Sequence, residues 1–178
     1  MSANEAEDLL AAELDQLGVS YLSFQPVHLA VAVRPPHHLL ADLIKQPSSR
    51  VRTAVIAVLL AHPEYADAIR GAIAELPPEP GLTLKLFYTA AVLLQQKHAD
   101  RLQALVGDRW RSLPDWFSAE LALPPTLPVG EALARLGERH RALTGVMANW
   151  SGTYENVVHH MLRRWELAKC WNRSQPQP

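Results

Sequence analysis

The sequence predicts an all-α fold: a multi-helix bundle ending in a helical hairpin. Two observations lead there. First, Pro35-Pro36, Pro47, Pro63, Pro77-Pro78, Pro80, Pro114, Pro124-Pro125 and Pro128 all fall between apolar segments. A helix tends to stop before a proline and can begin with one, so these residues separate helices. Second, the apolar residues between them recur at three- and four-residue spacing, while strand-like alternation occurs only at 20–34. The spacing predicts helices near 4–17, 36–46, 49–61, 64–75, 82–104, 114–122, 130–143 and 147–171.

Residues 1–18 form an acidic helix. They hold five Asp or Glu and no Lys or Arg, the reverse of the positive segment that opens a secretory signal. A cytoplasmic protein is expected. The acidic helix either faces water, docks on the basic C-terminal helix, or docks on another protein. Over 19–35 the expectation is an extended connector. Val27, Leu29, Val31 and Val33 alternate with His28, Ala30 and Ala32, so a short strand paired with another chain is the alternative.

The core is expected at 36–107. In the helix at 49–61, Ser48 or Ser49 is the cap candidate and His62-Pro63 the stop. Arg50, Ala54, Ala57 and Ala61 share one narrow face, and Val51, Val55, Ile56, Val58, Leu59 and Leu60 cover the rest. The helix from 82 is apolar apart from a thin strip of Lys85, Thr89 and Gln96. A helix that is apolar nearly all round is covered on several sides, by its own chain or by a second copy. The runs at 53–61 and 82–94 fall short of the roughly 20 residues that a membrane span needs, so no membrane partner is expected.

A Pro/Trp connector at 108–129 follows. All five Trp lie beyond residue 108, at 110, 116, 150, 165 and 171. A helical hairpin is expected at 130–172, with a disordered tail at 173–178. Trp150, Tyr154, Val157, Val158, Met161 and Trp165 form the apolar stripe of the last helix. Glu155 and His159 lie opposite it beside Arg163 and Glu166, which reads as a solvated face with local ion pairs. Residues 129–173 carry seven basic and four acidic side chains.

Residues 39–61, LLADLIKQPSSRVRTAVIAVLLA, resemble one HEAT-type unit: a Leu-rich first helix, a Pro-containing turn, then an Ala/Val/Leu second helix. The resemblance implies stacked helix pairs and a surface that binds proteins or nucleic acid. The stretches SSRVRTAVIAVLLAHPEYA, LTLKLFYTAAVLLQ and LPDWFSAELALP also resemble small bacterial helical proteins. Those are encoded beside small nucleotidyltransferases, in arrangements like toxin–antitoxin pairs. That resemblance implies a partner-binding role and transfers no catalytic residue.

Chemistry-bearing motifs are sparse. The sequence holds neither G-x-G-x-x-G nor G-x-x-x-x-G-K-[ST], which argues against a nucleotide-binding loop. The eight His (28, 37, 38, 62, 98, 140, 159, 160) contain no pair three or four apart, and the single Cys170 cannot make a thiolate site. No metal, cofactor or catalytic residue is assigned. Ser151-Gly152-Thr153 reads as a helix start or kink, Glu64/Asp67 as first-turn acids, and Ser112/Asp115 as capping-box-like spacing that begins the helix at 114–122.

The expected function is a non-catalytic protein-binding module that neutralises or escorts a small neighbouring enzyme, or that self-associates. Trp110, Trp116, Phe117, Trp171, Arg163 and Arg164 are the candidate partner-binding residues, because Trp and Arg dominate interface hot spots. Trp116-Phe117 is also expected to anchor the connector on the helical body. Arg163 and Arg164 point to different sides of their helix. Nucleic-acid binding is the second reading: Arg50 and Arg52 begin one helix, Arg109 and Arg111 flank Trp110, Arg163, Arg164, Lys169 and Arg173 line the last helix, and Trp110 or Trp171 could stack on bases. A metal-dependent enzyme, with a cluster joining His62, His98 or His140, is the third.

Overall fold

The computed structural model describes residues 3–19 and 32–174. Eight α-helices follow in order: α1 (Ala3–Gln16), α2 (Pro36–Lys45), α3 (Ser49–Ala61), α4 (Ile69–Ala74), α5 (Pro78–Lys97), α6 (Ala99–Val106), α7 (Val129–Thr144) and α8 (Trp150–Ser174). A 3-10 turn (Pro63–Ala68) precedes α4, and a shorter one (Gly107–Arg109) follows α6. The described residues contain no strand, and none of their helices is long and apolar enough to cross a membrane. The expected connector or strand at 20–34 lies largely outside the described residues, and its end at 32–35 is irregular.

Three layers stack. Helix α2 packs on α4, α3 packs on α5, and α2 lies against α3. Hairpin α7–α8 closes the other side, α7 along α5 and α8 along α3. The middle layer therefore meets protein on both faces. This explains why residues 53–61 of α3 and 86–95 of α5 are buried without a break. One continuous core runs from Leu10 and Leu14 of α1 to Tyr154 and Leu162 of α8.

Several boundaries differ from expectation. Helix α5 starts at Pro78, not at 82. Pro78 and Pro80 occupy its first turn, where a missing N–H costs no intrahelical bond, and Gly81 N–H donates to Pro77 O at 2.9 Å. The expected single helix at 82–104 breaks at His98 (φ −115°, ψ 27°). The expected helix at 64–75 opens as a 3-10 turn.

The expected helix at 114–122 is instead a turn. Ser118 N–H donates to Asp115 Oδ1 at 3.1 Å, and Leu121 N–H to Phe117 O at 2.8 Å. The chain then reverses at Ala122 (φ 55°). Packing wins over the local helix signal here, because Leu113, Phe117, Leu121 and Leu123 are all buried in the core. Helix α8 extends through Ser174, past the expected tail start at 173, and residues 175–178 lie outside the described residues.

The connector is pinned to α5 by side chains. Gln95 Nε2 donates to Arg111 O at 3.0 Å, and Leu113 N–H donates to Gln95 Oε1 at 2.7 Å. Tyr88 OH donates to Pro114 O at 2.7 Å. Trp116 stacks on the Tyr88 ring with centroids 5.3 Å apart, and Arg70 lies 4.8 Å over Trp116. Trp116 and Phe117 thus anchor the connector on the body.

Candidate functional site: a cationic groove between α3 and α8

Helix α8 divides its surface into three strips. Trp150, Tyr154, Val157, Val158, Met161 and Leu162 are buried in the core. The second strip meets the corner between α5 and α6. Lys97 pairs with Glu155 Oε1, His98 Nε2 lies 3.2 Å from Glu155 Oε2, and Arg101 Nη2 lies 2.6 Å from Glu166 Oε1. Burial alone would raise the Glu155 carboxyl, but the Lys97 and His98 hydrogen bonds outweigh it and hold the group below its ordinary value. These ion pairs run between helices. The expected solvated face with local pairs holds in part: His159 is 56% exposed and lies 3.9 Å from Glu155 on the same helix, but Glu155 itself is only 21% exposed and bonds across to the α5–α6 corner.

The third strip is Thr153, Asn156, His160, Arg163, Arg164 and Leu167. It faces the first turn of α3, where Ser49, Arg50, Arg52 and Thr53 complete a groove of about 770 Å³. Val146, Ala148 and Trp150 add apolar surface at one end. The lining contains four arginines and no carboxylate. The first turn of α3 holds no acid either, so the positive end of its macrodipole adds to the same potential. Arg52 is held in place, its Nη1 donating to Gln46 O at 2.8 Å and Pro47 O at 2.7 Å. Both Arg163 and Arg164 line the groove, although they sit 100° apart on the helix. Arg164 also borders a smaller hollow with Gly18, Met161 and Trp165.

The groove's end wall is an aromatic stack. His140 of α7 lies flat on Trp150, with centroids 3.6 Å apart and planes 4° apart, and its Nδ1 is 2.6 Å from Tyr154 OH. Burial, with a smaller contribution from Arg52, lowers the imidazole from 6.5 to about 4. Burial pushes the Tyr154 phenol up. A second hollow of about 400 Å³, on the other side of Arg52, Val146 and Trp150, is lined by His140, Leu143 and Thr144.

The turn between α7 and α8 is set by local chemistry. Gly145 adopts φ 71°, and its N–H donates to Arg141 O at 2.9 Å, closing α7. Asn149 Oδ1 accepts from Gly152 N–H at 3.1 Å, opening α8. A Cβ on Gly152 would lie 2.7 Å from the Asn149 amide, so glycine is needed for this cap to close. The expectation that 151–153 begins a helix holds. Val146 and Met147 on this turn are 50% and 81% exposed.

The six residues singled out from the sequence do not form one site. Arg163 and Arg164 line the groove. Trp171 is 71% exposed, one turn beyond Leu167 on α8. Trp110, Trp116 and Phe117 pack against the core. Sequence reasoning missed Arg50 and Arg52 as partners of α8, because nothing in sequence spacing brings residue 50 beside residue 163. The three histidines named as possible cluster members lie in separate settings. His140 stacks on Trp150, and His98 meets Glu155. His62 is set between Leu17 O at 2.7 Å and both Glu64 Oε1 and Arg109 Nη1 at 2.9 Å. Within α1, Glu13 is fully buried and pairs with Arg34 at 2.8 Å, just before α2.

No protein-family model, no curated protein and no solved structure matches this chain.

Proposed function

We propose that this chain is a protein-binding module whose docking site is the α3–α8 groove, and that its occupant is an acidic segment carrying apolar side chains. One observation carries the reading. Helix α8 sends Glu155 and Glu166 to the α5–α6 corner and Arg163 and Arg164 to the groove, where Arg50 and Arg52 complete a wall with four arginines and no carboxylate. Val146, Ala148, Trp150 and Leu167 in the same lining suit an apolar anchor. Opposite charge speeds encounter and selects partners, while buried apolar contacts hold the complex.

The helix pairs support the HEAT-type resemblance over 39–61. Helices α2 and α4 stack in one layer, with α3 and α5 in the next. The partner that the second resemblance implies is a small enzyme encoded beside this protein. An acidic face on such an enzyme would suit the groove.

Nucleic-acid binding is the second reading, favoured by the exposed Trp171 one helical turn from Leu167. Fluorescence anisotropy separates the two, using an acidic amphipathic peptide and a single-stranded oligonucleotide of equal charge. Each is titrated into the chain and into R163E/R164E across salt. The protein-binding reading expects tighter binding of the peptide and loss of it in the double variant. Preference for the oligonucleotide with a steep salt slope would establish the second reading instead.

A further inference from the structure

The corner between α5 and α6 brings the ligand atoms of three side chains close together. His98 sits in the break between the two helices and reaches α8. Its Nε2 is 3.2 Å from Glu155 Oε2, and His159 Nε2 lies 3.9 Å from the same oxygen. All three donor atoms lie within 4.8 Å of one another. The His98 contact is an ordinary hydrogen bond. The His159 separation is too long for one.

We propose that His98, Glu155 and His159 bind a divalent zinc ion. Ligands about 2.0–2.1 Å from Zn²⁺ in a tetrahedron lie about 3.3 Å apart, which the His98–Glu155 separation already matches. His159 is 56% exposed, so its ring can swing inward by the small remaining distance. Glu155 and His159 are four residues apart on one helical face, which keeps both in register. Lys97 pairs with Glu155 Oε1, orienting the carboxylate so that Oε2 faces the two imidazoles. That ammonium also opposes a cation, so the affinity belongs in the micromolar range, not in that of a closed structural site. Two His and one carboxylate leave the fourth position open to solvent. The ion would fasten α8 to the α5–α6 corner along the strip of α8 that does not line the groove.

A second trio, His37, His38 and Glu75, also satisfies the distance requirement. Its imidazoles are on adjacent residues and its Nδ1 and Nε2 atoms approach different carboxylate oxygens, at 3.1 and 3.6 Å. It serves as the control.

The test uses the full chain without a histidine tag, stripped of metal, titrated with Zn²⁺ by calorimetry and with Co²⁺ by visible absorption. One ion per chain is expected, with a Co²⁺ spectrum of low coordination number. His159→Gln alters a side chain that is 56% exposed and whose ring meets that of His98 edge-on. It is expected to weaken Zn²⁺ binding by more than about ten-fold, since even outer-shell losses cost that much. It should also abolish the rise in Tm that Zn²⁺ gives the parent chain, leaving the metal-free Tm unchanged. His38→Gln should leave binding intact. No stoichiometric binding, binding indifferent to His159→Gln, or binding lost in His38→Gln would overturn the assignment.

Discussion

His140 makes the chain acid-sensitive above the range where carboxylates titrate. The unfolded imidazole takes a proton near 6.5, while the folded one, buried on Trp150, does so only near 4. Below 6.5 the unfolded chain therefore binds more protons, and stability falls as the pH drops. The contribution is complete above 6.5 and the loss levels off below 4. Linkage puts the loss at about 2 kcal/mol between pH 7.5 and pH 5, and about 3 kcal/mol by pH 4. Glu155, held below its ordinary 4.5, adds acid sensitivity only at lower pH.

The perturbation that isolates this is H140F/Y154F, which replaces both members of a 2.6 Å hydrogen bond by apolar rings. His140→Phe alone orphans the Tyr154 hydroxyl, which is fully buried, at about 1–3 kcal/mol. The double variant recovers most of that at neutral pH. Urea unfolding of the three proteins at pH 7.5 and at pH 5, with equal m-values, gives the comparison. The parent should lose about 2 kcal/mol more than either variant. Parallel pH profiles in parent and double variant would refute the buried, neutral imidazole.

Two further outcomes concern the connector. Gln95→Leu removes both hydrogen bonds to the 111–113 backbone and leaves the buried Leu113 N–H unpaired, so a loss of about 2–4 kcal/mol is expected in chemical unfolding. Trp116→Ala removes the Tyr88 stack and the Arg70 contact. It should cost about 2 kcal/mol, and amides over 110–124 should exchange before those of α3 and α5. Equal exchange in parent and variant would refute the anchoring role.

The helices that proved easiest to place were those whose signal is local. Ser48 and His62-Pro63 bracket α3 as the sequence predicts, and the nearly all-round apolarity of α3 and α5 identifies the middle layer before any packing is known. The misplaced boundaries each depend on something distant. The break at His98 has no glycine or proline to announce it, and His98 is instead held by Glu155, 57 residues away. The turn at 114–122 carries a helix-start signal in Asp115, overruled by burial of Phe117, Leu121 and Leu123. Gln95 reads as one more polar residue near the end of a helix until the 111–113 backbone lies against it.

The groove was legible only in halves. Arg163 and Arg164 stood out by type, and Arg50 and Arg52 by position at a helix start. Their meeting follows from α8 lying along α3, a long-range contact that neither segment encodes alone. The pairing of Glu155 with Lys97 and His98, and of Glu166 with Arg101, likewise requires the α5–α6 corner, so the charge division of α8 emerges only in the fold.

The proposed function requires the α3–α8 groove to hold a protein partner by its acidic segment. A photo-cross-linking residue at Leu167, which is 62% exposed in the groove lining, tests it most directly in cells of the source organism. A control probe at Glu138 lies outside that lining. An adduct with one protein is expected from position 167, mapped to an acidic stretch, absent at 138 and lost in the R163E/R164E background. Adducts with nucleic acid, adducts formed equally at both positions, or no adduct at 167 would contradict it.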